Sequence, residues 1–201
     1  MILVIAEQRD GKVNKASWES IVGAQRIASV SAEPIVVAIA GADVQAAATE
    51  LAGAAVSEIV ALESPALAVY TADGFTQALQ AAITTLAPST VVLPHTYQTR
   101  DFAPKLAARL DRAIITDVTA VKTDAGRTVF VRPMFQGKLA ADVVALGSTP
   151  HFVTFQIGAY RADQAARGEA PAAVRAIAVV VDPSTIRQKP DAPFQEARQA
   201  V

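Results

Sequence analysis

The 201-residue sequence contains no cysteine and only two histidines, His95 and His151. The missing cysteines exclude disulfides, thiolate nucleophiles, iron–sulfur ligation and cysteine-based zinc sites. Two histidines also exclude a multi-histidine metal site. The formal net charge is −1 and Lys and Arg form no long run, so the sequence lacks the basic surface that a nucleic-acid backbone requires.

Long hydrophobic runs are missing as well. The N-terminal MILVIAEQRDG is apolar for only a few residues, which is too short for a signal peptide or a membrane span. We therefore expect a soluble protein of the cytoplasm that does not contact a membrane. Hydrophobic residues nevertheless make up 52% of the sequence and charged residues 18%, which is typical of one well-buried globular domain.

Strands and helices are predicted to alternate in the first half of the chain. Four β-branched runs are nearly continuous rather than alternating, which indicates strands buried on both faces. They are ILVIA, PIVVAIA, EIVAL and TVVLP. The segments between them are predicted helices, and Ser17 to Ser29 can turn Glu19, Gln25 and Arg26 toward water. This alternation predicts an α/β fold with a parallel sheet and right-handed crossovers.

Polar residues suited to capping stand before each predicted helix, where a side-chain oxygen can accept from first-turn amides. They are Asn14 or Ser17, Asp43 after the Gly41 turn, Thr71 or Asp73, and Thr99 or Asp101. In the last of these helices Pro104 is predicted to occupy the first turn, because its missing N–H costs no intrahelical hydrogen bond there.

The C-terminal third is predicted to add further strands, some of them antiparallel. Short turns separate AIITDVTAVKT, RTVFVRPMF, LAADVVAL and HFVTFQIGAY, and AIAVVVD closes the set at Asp182. Gly137 stands where a hairpin must reverse. We expect one domain over residues 1–182, followed by a poorly packed linker or tail over residues 183–201.

Catalytic motifs are absent from the sequence, which contains no G-x-x-x-x-G-K-S/T, G-x-G-x-x-G or G-x-S-x-G. Glu7 and His95 follow predicted strands at the carboxyl edge, where open α/β sheets bind ligands, and Arg100 at a helix start can bind an anion. The alternatives are a polar turn for Glu7, a loop histidine for His95 and a solvated neighbour of the Asp101 cap for Arg100.

Other polar and aromatic residues are expected to be structural or to face a partner. His151 opens a predicted strand, and Trp18 at the head of a helix is expected to pack rather than to stack on a cofactor. Arg132 and Lys138 flank the predicted hairpin turn at Gly137. They are either solvated turn residues or contacts to a partner protein.

Three stretches of the sequence have the order and spacing of one known family. They are ILVIAEQRDGKVNKASWESIVGAQRIA, RDFAPKLAARLDRAIITDVTAV, and VRPMFQGKLAADV followed by HFVTFQIGAY. Together they resemble the electron transfer flavoprotein alpha subunit, with its Ala-Glu strand end, its Gly-Lys turn and its Arg-Pro, aromatic, Gly-Lys hairpin. The resemblance covers Met1 to Asp182.

This resemblance implies a non-catalytic, N-terminal domain with a parallel-sheet fold like that of adenine-nucleotide alpha hydrolases. Such a domain assembles with the beta subunit as a heterodimer, and we identify Arg132, Gly137 and Lys138 as its candidate partner contacts. The resemblance places FAD chiefly on a C-terminal domain, so we expect no cofactor and no catalytic or metal site in this chain alone. It further implies electron transfer from acyl-CoA-type dehydrogenases of fatty acid oxidation to a quinone-linked oxidoreductase.

Two positions depart from the family pattern. Lys105 stands where the family usually has Arg, and Gln156 stands at a usual Arg of its Thr-x-Arg strand. Lys and Gln cannot supply the planar charged fork of Arg, so contacts through these positions are expected to differ. The alternative function is a stand-alone nucleotide-binding or nucleotide-hydrolysing α/β protein that uses Glu7, His95 and the Gly41 turn.

Overall fold

The computed structural model describes residues 1–191. The strands are β1 Ile2–Ala6, β2 Gln8–Arg9, β3 Lys12–Val13, β4 Ile35–Gly41, β5 Glu58–Glu63, β6 Thr90–Pro94, β7 Ile114–Val118, β8 Ala120–Asp124, β9 Arg127–Met134, β10 Leu139–Val143, β11 His151–Phe155 and β12 Ala173–Ala178. The α-helices are α1 Lys15–Ser31, α2 Gln45–Leu51, α3 Ala72–Leu86 and α4 Tyr97–Arg109.

Seven strands form one parallel sheet in the order β12-β5-β4-β1-β6-β11-β7. The chain runs from β1 outward to β5 on one side and then returns to β6 on the other side of β1. The strand order therefore reverses between β1 and β6, and the carboxyl edge at that point is where open α/β sheets bind ligands. The α/β class with a parallel sheet is confirmed.

The central strands are apolar throughout because both of their faces are covered. In β1, Ile2 and Val4 pack with α1 and α2 on one face, while Leu3 and Ile5 pack with α3 and α4 on the other. Successive side chains of a strand point to opposite faces, so a two-sided core requires an unbroken apolar run.

The later strands divide between two sheets. β8, β9 and β10 form an antiparallel sheet, as the short turns predict. β11 instead enters the parallel sheet between β6 and β7, and β12 pairs with β5 at the opposite edge. Phe152 and Val153 of β11 are fully buried on opposite faces, which suits a central parallel position. The final strand also ends early, at Ala178, although Val179 and Val181 remain buried.

Two of the predicted helix caps are confirmed. Asn14 accepts from the amide of Ala16 at the start of α1, and Thr71 accepts from the amide of Gly74 at the start of α3. The cap of α2 was predicted wrongly, because Val44 rather than Asp43 occupies the cap position and makes no side-chain cap bond.

The start of α4 also differs from the prediction. Thr96 is the cap residue, and its hydroxyl accepts from the amide of Thr99 at 3.0 Å, so neither Thr99 nor Asp101 caps the helix. The helix consequently begins before Thr99, and Pro104 lies within it rather than in its first turn. A proline there has no N–H for the carbonyl four residues earlier, that of Arg100.

One residue predicted to face water is buried. Glu19 on α1 has 4% of its surface exposed, and its carboxylate accepts from the amide of Gly158 at 2.7 Å. The loop after β11 covers this side of the helix, which the helical pattern alone does not reveal. Gln25 is half-buried against Ala166, and Arg26 is exposed as predicted.

The domain boundary at Asp182 stays a prediction. Part of the predicted tail contacts the domain, since Ile186 packs on the core beside α3 and Gln188 accepts from the amide of Asp73 at 3.0 Å. Ile186 is half-buried while Arg187 and Gln188 are exposed, so the poor packing of the tail also stays a prediction, and residues 192–201 lie outside the described residues. Among the helices described, none has the length and apolarity needed to cross a bilayer.

Candidate functional site

Glu7 lies at the carboxyl end of β1, at the point where the strand order reverses. One carboxylate oxygen accepts from the hydroxyls of Thr96 and Thr99, the latter at 2.8 Å, and the other accepts from the Asn14 amide at 3.2 Å. The side chain of Ser17 in addition bonds the backbone of Glu7. Glu7 thus ties the end of β1 to the first turns of α1 and α4.

The carboxylate of Glu7 is buried and hydrogen-bonded within the protein. The residue has 6% of its surface exposed, and burial raises the pKa of its carboxyl although the hydrogen bonds oppose this. Because both oxygens already accept from protein donors, little capacity remains for a ligand. Of the two interpretations, a local structural role therefore fits Glu7 better than nucleotide contact.

The Gly41 turn at the same edge is also filled by protein atoms. A Cβ at Gly41 would lie 2.7 Å from Cγ1 of Val44 and 2.9 Å from Nε2 of Gln8. The close approach of these two side chains, rather than an open cradle, explains the glycine. The adjoining surface cavity is lined by Asp10 and Asp43, whose carboxylates would repel a phosphate.

His95 lies at the carboxyl end of β6 in a small polar group. Its Nδ1 is 2.8 Å from Oγ1 of Thr154, and its Nε2 is 4.0 Å from Oδ1 of Asp117. The same threonine oxygen accepts from the Asp117 amide at 3.0 Å, so Thr154 links His95 to Asp117. Burial lowers the pKa of His95, so the neutral ring is favoured.

Arg100 faces solvent next to this group. Its guanidinium stacks on the exposed ring of Tyr97 at 5.6 Å, and together with His95 and Thr154 it lines a cavity of about 180 Å³. Ala103, Pro104 and Ile114 form the apolar wall of this cavity. Ligand pockets commonly measure about 300–1,000 Å³. The cavity is therefore small for a nucleotide or a flavin.

Arg132, Gly137 and Lys138 belong to the β9–β10 hairpin. Thr119, directly after β7, donates its amide to the carbonyl of Val131, so the hairpin turn extends past the carboxyl end of β7. Gly137 has φ +81°, which confirms its predicted position in the turn. In the part of the chain that the structure describes, Nε of Arg132 is buried without a hydrogen-bond partner.

The tip of the hairpin is apolar and exposed. Met134, Phe135 and Leu139 have 37%, 70% and 60% of their surfaces exposed, respectively. Met134 pairs with Leu139 across the hairpin, so their side chains lie on the same face. We call these three residues the hairpin tip.

The electron transfer flavoprotein domain family matches residues 2–182. This chain belongs to that family. It is 37% identical to the electron transfer flavoprotein subunit alpha of Bacillus subtilis (strain 168) over 144 residues, which are 72% of this chain and 44% of that protein. The corresponding subunit of Syntrophomonas wolfei is 30% identical over 144 residues, again 72% of this chain and 44% of that protein.

A third relative is subunit LctC of the lactate dehydrogenase (NAD(+),ferredoxin) of Acetobacterium woodii, with 24% identity over 164 residues, 81% of this chain and 39% of that protein. The predicted resemblance to the alpha subunit is confirmed. This electron transfer flavoprotein domain spans less than half the length of these curated relatives.

The two departures from the family pattern lie in different surroundings. Lys105 of α4 forms an ion pair with the buried Asp73 of α3, so its charge is used within this chain. Gln156 directly follows β11 and is half-buried, and its backbone amide donates to the carbonyl of Val118. His151 begins β11 as predicted, and Trp18 is buried beneath the guanidinium of Arg167 at 4.3 Å, which confirms a packing role.

Two residues near His95, at the carboxyl edge of the parallel sheet, could not be identified from the sequence. Asp117 has φ +62°, an uncommon conformation for a residue other than glycine, and only the β11–β7 pairing brings it to Thr154 and His95. Thr154 was visible only as part of the Thr-containing strand of the family. The positive φ itself leaves no mark on the sequence around Asp117.

Proposed function

We propose that this chain is the N-terminal assembly domain of an electron transfer flavoprotein alpha subunit, and that the β9–β10 hairpin contacts the beta subunit. The exposed hairpin tip carries this proposal, because soluble domains seldom leave neighbouring large apolar side chains uncovered without a partner. Arg132 and Lys138 would supply the charged rim that protein interfaces place around an apolar centre. Lys138 is exposed and Arg132 is half-buried, which suits positions on such a rim.

The backbone of the turn supports the same proposal. Phe135 and Gln136 have φ values of +51° and +58°, a conformation that Asn and Gly usually adopt. An aromatic residue there costs folding free energy and is 70% exposed, so it gains little from packing within the domain. A contact outside the domain would offset that cost.

The redox role is proposed for the complete assembly. There FAD would pass electrons from acyl-CoA-type dehydrogenases of fatty acid oxidation to a quinone-linked oxidoreductase in the bacterial cytoplasm. This chain would be a non-catalytic part of that electron carrier. One relative is named an acryloyl-CoA reductase electron transfer subunit, which fits acyl-CoA chemistry. LctC, in contrast, is named as a subunit of a lactate dehydrogenase.

The start of α4, where Arg100 lies, does not suit an FAD pyrophosphate. A flavin pyrophosphate needs several convergent donors, usually amides at a helix start together with a basic side chain. At the start of α4 the Thr99 amide already bonds Thr96, and Arg100 is followed by the acidic Asp101. We therefore propose that FAD is held elsewhere in the assembly, and we find no observation that favours the stand-alone nucleotide-binding alternative.

Assembly is tested by binding to the beta subunit of the same organism. Leu139→Ser should weaken binding by at least tenfold, whereas Val69→Ser, at a residue that is also 60% exposed, should leave it unchanged. Calorimetry or surface plasmon resonance measures both affinities. Equal affinity for wild type and Leu139→Ser would show that the hairpin is not part of the interface. Absence of binding by the wild type would contradict the assembly role.

Flavin binding is tested on the chain alone. Titration with FAD, followed by flavin fluorescence and calorimetry, should show weak or no binding. Stoichiometric binding of about −8 kcal/mol or better would show that this domain holds a flavin site. Loss of such binding in Arg132→Ala would place that site on the hairpin.

A further inference from the structure

Asp73, in the first turn of α3, has a charged side chain that is almost fully buried. Its side chain is 2% exposed, and it forms ion pairs with Lys105 of α4 and with Arg187. A buried carboxylate is stable only when cationic or hydrogen-bonding groups surround it. One of its two cationic partners comes from residues outside the stretch 2–182 that the family matches.

The segment Asp182–Gln188 lies along the start of α3 and exchanges backbone and side-chain hydrogen bonds with Asp73. The amide of Arg187 donates to Oδ2 of Asp73 at 3.0 Å, and its guanidinium Nε lies 3.3 Å from the same oxygen. In return, the amide of Asp73 donates to Oε1 of Gln188 at 3.0 Å. The contact is therefore reciprocal and involves both backbones.

Two further contacts fix the same segment. Gln77, one turn further along α3, accepts from the amide of Asp182 at 3.1 Å and donates to the hydroxyl of Thr185 at 2.8 Å. Ile186 packs on the core beside α3, and its Cδ1 would lie 3.5 Å from a Cβ placed on Gly74. The segment thus has polar anchors at both ends and an apolar anchor between them.

We propose that Asp182–Gln188 is a strap for which the start of α3 is the binding site, with Asp73 as its central acceptor. The strap fixes the direction in which the backbone leaves the parallel-sheet domain after β12. Asp73 acts as a positioning residue: its carboxylate holds the Arg187 backbone on one side and Lys105 of α4 on the other. The strap contact lies within the chain and is separate from the proposed hairpin interface.

Hydrogen exchange measured by mass spectrometry on the full chain tests the strap. Asp73→Ala should raise the exchange rate of amides in residues 182–188 by at least tenfold. Arg187→Ala should have a smaller effect, because it keeps the backbone amide that donates to Asp73. Lys189→Ala is the matched control and should exchange like the wild type, because Lys189 is an exposed neighbour that forms no hydrogen bond or ion pair with α3 among the described residues.

The double variant Arg187→Ala/Gln188→Ala changes only the strap. It therefore distinguishes release of the strap from general unfolding caused by Asp73→Ala. It should release residues 182–188 while peptides from β1 keep their wild-type protection. Exchange within twofold of the wild type in that double variant would overturn the proposal. An equal rise in β1 and in the strap would overturn it as well, because the segment would then have no separate docking equilibrium.

Discussion

The parallel sheet and the antiparallel sheet of this domain meet solvent in opposite ways. Every residue of β1 and β4 is buried, whereas no residue of β10 is, and in β9 only Val129, Phe130 and Val131 are. Helices of the same chain cover both faces of the first sheet. The second sheet packs on the domain at its base and projects its apolar tip into solvent. The fold therefore covers the central strands of the first sheet by itself, and we propose that a partner covers the tip of the second.

The largest change in stability is expected when a side chain of the parallel-sheet core is truncated. Phe102 on α4 is 1% exposed and packs among the residues between the sheet and α3. Phe102→Ala should lower the free energy of unfolding by about 3–5 kcal/mol, since it removes buried surface and leaves a cavity. Urea denaturation measures the change. A loss under about 1 kcal/mol would contradict the self-sufficient core.

A smaller loss is expected at the Glu7 junction. Glu7→Ala takes the acceptor from the hydroxyls of Thr96 and Thr99 and from the Asn14 amide. We expect a loss of about 2–3 kcal/mol in the free energy of unfolding, because orphaned buried donors are costly. Glu7→Gln is the matched control: it keeps an acceptor for the threonines and should lose less. Equal losses in both variants would mean that the charge, rather than the acceptor, matters.

The pH dependence at His95 should be smaller still. Because burial lowers the pKa of His95 below its ordinary value of 6.5, the unfolded chain binds a proton more readily than the folded chain. Stability contributed by the neutral ring is therefore present above pH 6.5 and is lost as the pH falls through the lowered pKa. In His95→Gln this loss should disappear. Urea midpoints at pH 7.5 and 5.5 measure it, and an identical pH dependence in both proteins would contradict it.

The sequence predicted the central strands and the β9–β10 turn better than it predicted contacts between distant parts of the chain. The central strands were predictable because a two-sided core forces a continuous apolar run, as in PIVVAIA. The place of β11 was not, because its pairing with β6 and β7 depends on contacts distant in sequence. The same reason hid the burial of Glu19, which lies under the loop after β11.

The carboxyl edge was predicted only in outline. Glu7 and His95 were correctly placed at strand ends, but their partners come from elsewhere in the chain. Thr96 was missed as the cap of α4 because Thr99 and Asp101 are equally good cap residues by type. The choice between them depends on Glu7, which engages both Thr96 and Thr99. Sequence spacing carries no record of that contact.

The smallest effect on stability, and one of opposite sign, is expected at the hairpin tip. Phe135 has φ +51° and is 70% exposed, so it bears the cost of a left-handed backbone with little packing in return. Asn tolerates that conformation, and Phe135→Asn should therefore raise the free energy of unfolding by about 0.5–1 kcal/mol. We also expect the exposed hairpin tip to let the isolated chain self-associate, and the same change should weaken that association, which analytical ultracentrifugation measures. A destabilisation of more than about 1 kcal/mol would mean that Phe135 packs on its own domain, and the contrast between the two sheets would then fail.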